Sequence, residues 1–160
     1  MIPLDPLLSE PTMEEIKDRL NLQLLCGGKN ITRRVKHNIV AAMEPQNMIH
    51  YLKEGTLVLT SGDRVDNILV AVSSHLVGGE KGYKISGIIL TGGLMPDPKI
   101  VDLLKKSRVP VLLTDQDTYT VAARVEHLIC KIQKNDKDKI QEATQLVKQY
   151  VDVNAILESF

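Results

Sequence analysis

The chain has no tryptophan, one phenylalanine (Phe160) and only two cysteines among its 160 residues. So few large aromatics leave few platforms on which the bases of a nucleic acid could stack. Charge points the same way. Twenty acidic and twenty basic residues cancel, and no long basic run supplies the electrostatic footprint that dominates nucleic-acid affinity. Nucleic acid is not an expected partner. Cys26 and Cys130 stand apart without CxxC spacing, and His37, His50, His75 and His127 are scattered. That pattern argues for two small reduced thiols rather than a disulfide or a metal centre. No apolar stretch approaches the roughly 20 residues that cross a bilayer. The start, Met1-Ile2-Pro3-Leu4-Asp5-Pro6, has neither the basic nor the apolar region of a secretory leader. The expectation is a cytoplasmic protein with no membrane association, no metal and no cofactor.

A hydrophobic content of 43% is enough for a packed core. Its arrangement is informative. Leu57-Val58-Leu59-Thr60, Ile88-Ile89-Leu90-Thr91 and Val111-Leu112-Leu113-Thr114 are short apolar runs without alternation, each ending in threonine. Such runs read as strands buried on both faces, the habit of parallel sheets. Between them lie helical patterns: Val65, Ile68, Leu69, Val72 and Leu76, then Ile100, Leu103 and Leu104, with Pro110 expected to stop the second helix. A further helix carries Val121, Ala122, Val125 and Leu128 behind an Asp117 cap. Thr12 and Glu15 form a capping box for an early helix, Leu22 to Leu25 reads as a short strand, and Pro45 opens a short helix. Alternating strands and helices predict a three-layer α/β/α domain with a mostly parallel sheet. The last amphipathic helix places Ile140, Thr144, Val147 and Val151 on one face, and Val153, Ile156, Leu157 and Phe160 continue the apolar content. The expected division is a domain over 1–131 and a C-terminal helical arm or linker over 132–160.

If the strands are parallel, their threonines and the turns after them share the carboxyl edge, where open α/β sheets bind ligands. The candidate ligand-binding residues are Ser61, Gly62, Asp63 and Arg64, then Thr91, Gly92 and Gly93, then Asp115 and Thr118. Gly62-Asp63-Arg64 stands at a helix start, where free N–H groups and the helix dipole favour an anion and a guanidinium can grip it. The alternative is that Asp63 caps the helix while Arg64 pairs with Asp66 or with an acid from a neighbouring turn. Thr91-Gly92-Gly93 lets backbone approach a ligand but lacks the Lys-Ser/Thr of a P-loop and a full GxGxxG. Glycines are equally the default for a turn with positive φ. Asp115, Asp117 and Thr118 bring oxygens to the same edge, with helix capping by Asp117 favoured over a Mg²⁺ site. No nucleophile–base pair is present, so no catalytic residue is assigned.

Asp63-Arg64 and Thr91-Gly92-Gly93 together spell DRTGG, and the chain resembles the DRTGG domain family. Asn30-Ile31-Thr32-Arg33-Arg34-Val35, Gly55-Thr56 leading into the first strand, and Asp117-Thr118-Tyr119 extend the resemblance. Asp5-Pro6-Leu7-Leu8 and Asp136-Lys137-Asp138-Lys139-Ile140 look like the middle domain of long bacterial phosphate acetyltransferases. The resemblance implies a fold similar to the N-terminal domain of HPr kinase/phosphorylase. It implies a non-catalytic regulatory domain that binds a small anionic effector, a nucleotide among the options, and forms a homodimer. A fused or partner acetyltransferase domain belongs to the same expectation. The competing expectation is a purely structural dimerisation or linker module, or a partner of CBS-domain or pyrophosphatase proteins.

Overall fold

The computed structural model describes residues 3, 5–78, 84–132, 134 and 136–151. The glycine-rich stretch at 79–82 and the apolar positions Val153, Ile156, Leu157 and Phe160 lie outside the described residues. The chain divides into two compact units, one of residues 11–128 and one of residues 1–10 with 129–160.

The larger unit is built on five strands: β1 (Gln23–Cys26), β2 (His37–Val40), β3 (Thr56–Ser61), β4 (Gly87–Thr91) and β5 (Val111–Leu113), in the order β1-β5-β4-β3-β2. The four strands β2 to β5 are mutually parallel, and β1 closes the far edge antiparallel to β5. The mostly parallel α/β sheet is as the unalternating apolar runs require. The antiparallel strand carries no distinguishing pattern of its own. Its helices are α2 (Met13–Leu20), α3 (Pro45–Met48), α4 (Val65–Val77), α5 (Pro98–Ser107) and α6 (Thr118–Glu126).

Successive residues of a strand point to opposite faces, and the two cores follow that parity. Val58, Ile88, Leu90 and Val111 pack with Met48 of α3, Ile68, Ala71 and Val72 of α4 and Leu104 of α5. Leu57, Leu59, Ile89 and Leu112 pack on the other face with Met13, Ile16 and Leu20 of α2 and Val121 and Val125 of α6. Each fully buried aliphatic side chain contributes about 1.5–3 kcal/mol, so both faces hold the strands that carry the candidate turns.

Local signals fix the helix ends. In α2 the Glu15 N–H donates to Thr12 Oγ1 at 3.1 Å and the Thr12 N–H donates to Glu15 Oε2 at 2.8 Å, the capping box expected of the sequence. Asp97 caps α5 by accepting from the Lys99 N–H at 2.8 Å. One end differs from expectation. Helix α5 stops at Ser107 because Arg108 turns left-handed at φ 60°, and Pro110 is already at the sheet, its carbonyl accepting from the Ile88 N–H at 2.9 Å.

The smaller unit contains α1 (Pro6–Ser9) and α7 (Lys137–Tyr150). Helix α7 turns Lys139 and Leu146 inward, whereas Ile140, Val147 and Tyr150 are exposed. The apolar stripe that the sequence marks is therefore the uncovered one.

Candidate functional site

The parallel sheet brings Ser61 and Thr91 side by side as register partners, and Leu90 beside Leu113. All three predicted turns thus lie along the carboxyl edge. They do not form one cup. Pleat parity puts Thr60 on the face of Val58 with α4 and α5, and Thr91 and Thr114 on the face of Ile89 and Leu112 with α6.

The connection out of β4 runs to α5 on one face, and the connection out of β5 runs to α6 on the other. Such a divergence opens a crevice between two strand ends in doubly wound sheets. Here the turns themselves bridge it. The Gly92 N–H donates to the Gln116 carbonyl at 2.8 Å, and the Gly93 N–H donates to the Thr114 carbonyl at 2.8 Å. The amides that would cradle an anion are taken. Both glycines hold positive φ, 77° and 67°, so the turn requires them on conformational grounds. Beneath the turn, Thr91 Oγ1 donates to the Thr60 carbonyl at 3.2 Å and lies 2.6 Å from Thr118 Oγ1. With the Thr91 proton directed at that carbonyl, Thr118 is the donor of the pair. Asp117 caps α6, its oxygens accepting from the Thr120 N–H at 2.9 Å and the Thr120 hydroxyl at 2.6 Å. Those bonds hold its carboxyl below the usual carboxylate range, the Thr120 side chain being the largest cause. Asp115 is exposed, with its Cα against Gly93. Among the described residues no three His, Cys, Asp or Glu side chains group as a metal site.

The turn after β3 is organised otherwise. The Gly62 N–H donates to the Thr91 carbonyl at 3.3 Å, and the Arg64 N–H to the Ser61 carbonyl at 3.1 Å. A Cβ built on Gly62 would lie 1.7 Å from the Leu94 carbonyl oxygen. Only glycine lets the two turns touch. Arg64, not Asp63, occupies the N-cap position of α4, and its side chain makes no capping bond; the Asp66 carboxylate accepts from first-turn N–H groups instead. Because the turn closes on Arg64, Asp63 sits one residue too early to cap and its side chain is exposed. Arg64 forms a bidentate pair with Asp66, Nε to Oδ1 at 3.0 Å and Nη2 to Oδ2 at 2.9 Å, and Nη2 also donates to the Met43 carbonyl at 3.3 Å. Hydrogen bonding within the pair raises the Arg64 pKa and lowers that of Asp66, with Glu44 and Asp63 adding to the former. The pair is water-exposed, at 35% and 44% of each side chain, so solvent screens it.

Several residues escape sequence reasoning. Asn67, fully buried in the first turn of α4, donates to the Ala41 carbonyl at 2.8 Å and to Met43 at 3.3 Å, clamping the loop after β2 beside Arg64. Its signal is a polar residue at a helical core position. Arg124 reaches back from α6 to Gln116 Oε1 at 2.7 Å, adding a cation to the third turn. The Thr60 hydroxyl is buried without a hydrogen-bond partner.

A profile of the DRTGG domain family matches residues 15–128, and both halves of its signature are the turns just described. The chain belongs to the DRTGG domain family. It is 33% identical over 156 residues to a phosphate acetyltransferase of Nitratidesulfovibrio vulgaris, covering 95% of this chain and 22% of that protein. It is 34% identical over 160 residues to a phosphate acetyltransferase of Synechocystis, covering 98% and 22%. The chain thus spans about a fifth of the length of these relatives. In fold it is similar to a crystal structure of the CBS and DRTGG domains of the regulatory region of Clostridium perfringens pyrophosphatase, complexed with its activator diadenosine tetraphosphate. That likeness has a TM-score of 0.61 at 20% identity and covers 94% of this chain and 66% of the other. Among the described residues no helix is long and apolar enough to cross a membrane.

Proposed function

We propose that this DRTGG domain is a non-catalytic regulatory module of a phosphate acetyltransferase-like protein. It binds a small anionic effector of the nucleotide class at the carboxyl edge and associates with a second copy of itself. The carrying observation is Arg64, which stands at the N-terminus of α4 with its guanidinium at the surface. Its partner Asp66 is solvent-exposed, and an incoming phosphate can exchange for it. Asp63 and Glu44 near Arg64 disfavour a wholly anionic ligand. Asp63 can instead accept from the hydroxyl or amino donors of a nucleotide. The pyrophosphatase region of similar fold is itself complexed with a dinucleotide activator, which supports this ligand class.

A second reading has its own observations. The Gly92 and Gly93 amides are internally bonded and Arg64 has an internal partner. Both fit a structural module that needs no ligand. A thermal-shift screen against adenine nucleotides, nicotinamide cofactors, acetyl phosphate, coenzyme A and pyruvate separates the two. The regulatory reading expects stabilisation by a nucleotide; no shift with any compound leaves the structural module. The chain alone is expected to show no acetyl transfer between acetyl phosphate and coenzyme A. Turnover by the pure chain, lost on mutation at a strand end, would overturn that.

A further inference from the structure

The guanidinium of Arg64 has two forked edges, and different parts of the chain hold them. Nε and the Nη2 hydrogen beside it make the bidentate pair with Asp66, at 3.0 and 2.9 Å. The other Nη2 hydrogen, which with Nη1 forms the second edge, goes to the Met43 carbonyl at 3.3 Å. Asp66 lies in the first turn of Arg64's own helix. Met43 lies in the segment 41–44 between β2 and α3, where Ala42, Met43 and Glu44 are exposed and form no helix or strand. Hydrogen bonds rather than packing therefore hold that segment. Ala41 is fixed from two sides: its N–H donates to the Leu59 carbonyl at 2.8 Å, and its carbonyl accepts from Asn67 Nδ2 at 2.8 Å. The Met43 carbonyl is held by two longer bonds, from Asn67 and from Arg64, both 3.3 Å. Glu44 adds its charge to those that raise the Arg64 pKa, so its carboxylate is drawn to the guanidinium as well.

We propose that Arg64 is a latch on residues 42–44, and that a phosphate gripping its Nη1–Nη2 edge displaces the Met43 carbonyl and releases the segment. The release rests on the effector reading above; the latch does not. Of the two edges, this one is the easier to vacate. Displacing Asp66 breaks a charge-assisted pair of two shorter bonds. Displacing Met43 breaks one long bond to a carbonyl, and Asn67 still donates to that carbonyl, so no acceptor is left unpaired. Charge acts in the same direction. The Glu44 carboxylate, drawn to a free Arg64, meets a bound phosphate there instead, and like charges repel. Asn67 stays on Ala41, which makes that residue the fixed end of the movement. At the other end the Glu44 carbonyl accepts from the Asn47 and Met48 N–H groups at 2.9 and 3.0 Å, so the movement reaches the start of α3. Met48 itself is buried in the core and holds the rest of that helix. The site thus signals through the segment in front of α3 and leaves the sheet as it is.

Backbone NMR relaxation on the full chain tests the latch and the release separately. In the free wild type, the amide order parameters of Ala42, Met43 and Glu44 should approach the value of about 0.85 found in rigid backbone. Arg64→Ala should lower them towards the flexible range, below about 0.6, while Ala41 and Leu59 keep theirs. Asp66→Asn weakens the other edge and still offers an oxygen to the first-turn N–H groups, so it should leave the segment as ordered as in wild type. Millimolar ATP should loosen the wild-type segment as Arg64→Ala does, and should change nothing further in that variant. An unchanged segment in Arg64→Ala, or equal loosening by Asp66→Asn, overturns the latch. ATP that binds by calorimetry without loosening the segment overturns the release and keeps the effector reading. ATP that does not bind overturns both the release and that reading, whatever the variants show of the latch.

Discussion

Two turns of near-identical origin diverge at the carboxyl edge. After β3 and after β4 the chain reads apolar run, threonine or serine, then glycine. Both donate their glycine amides to a neighbour, Gly62 to Thr91 and Gly92 and Gly93 to Gln116 and Thr114, yet only the first presents an arginine to solvent. Their glycines differ in kind as well. Gly62 is required by contact, since any Cβ meets the Leu94 carbonyl, whereas Gly92 is required by its positive φ, and a Cβ there would make only ordinary contacts with Leu94 and Ser61 at 3.9 Å. The lesson is that a glycine-rich turn at a strand end is a candidate anion site only if its N–H groups have nowhere else to go. Here the amides of both turns are taken: the TGG half holds two strand ends together, and what the DR half offers is the surface side chain of Arg64 rather than free N–H groups.

Substitutions can break that comparison. Gly62→Ala should have the largest effect, about 3 kcal/mol or more of lost stability, because backbone rather than a mobile side chain must yield. Gly92→Ala should cost about 1–2 kcal/mol, the strain of a left-handed alanine alone. Urea unfolding of both variants checks the pair, and equal losses would erase the distinction. Thr118→Val, which removes the hydroxyl from Thr91, should cost about 1 kcal/mol without changing any ligand affinity at Arg64.

How much of this was legible follows from what sequence patterns encode. The buried runs at Leu57, Ile88 and Val111 identified the parallel strands because strand burial on both faces leaves no polar alternation. The caps at Thr12 and Asp117 were legible because capping is local chemistry. Asp63 failed as a cap since the turn length, not the residue type, decided which position began α4. The pairing of Gly92 and Gly93 with Gln116 and Thr114 joins turns more than twenty residues apart, and nothing local signals it. The exposed stripe of α7 was visible as a stripe, but periodicity does not say which of two faces the fold covers. Arg108 turning left-handed had no glycine to announce it.

The opposite edge of the sheet offers the smallest effect and a control. His75, buried near the end of α4, lies 3.4 Å from Arg33 through its Nε2. Burial, then Arg33 and Lys84, push its pKa below the ordinary value, with Glu54 opposing. The unfolded chain takes up that proton near pH 6.5 while the folded one resists it. The stability contributed by the neutral ring is therefore whole above about pH 6.5 and is lost as pH falls through the lower folded value. Unfolding measured across this range should show the decline, and His75→Gln should reduce its slope. An unchanged slope would mean that His37, depressed in the same direction, or the carboxylates carry it.

The central claim is that the Gly62–Arg64 turn receives the effector, and calorimetric titration of a nucleotide into wild type and Arg64→Ala tests it most directly. The variant should lose about tenfold or more in affinity, the loss of a charge-assisted contact. Its melting temperature should stay close to wild type, because the Asp66 pair it breaks is exposed to water. Equal affinity in the two proteins, or no heat of binding in either, would contradict the account and leave a structural module.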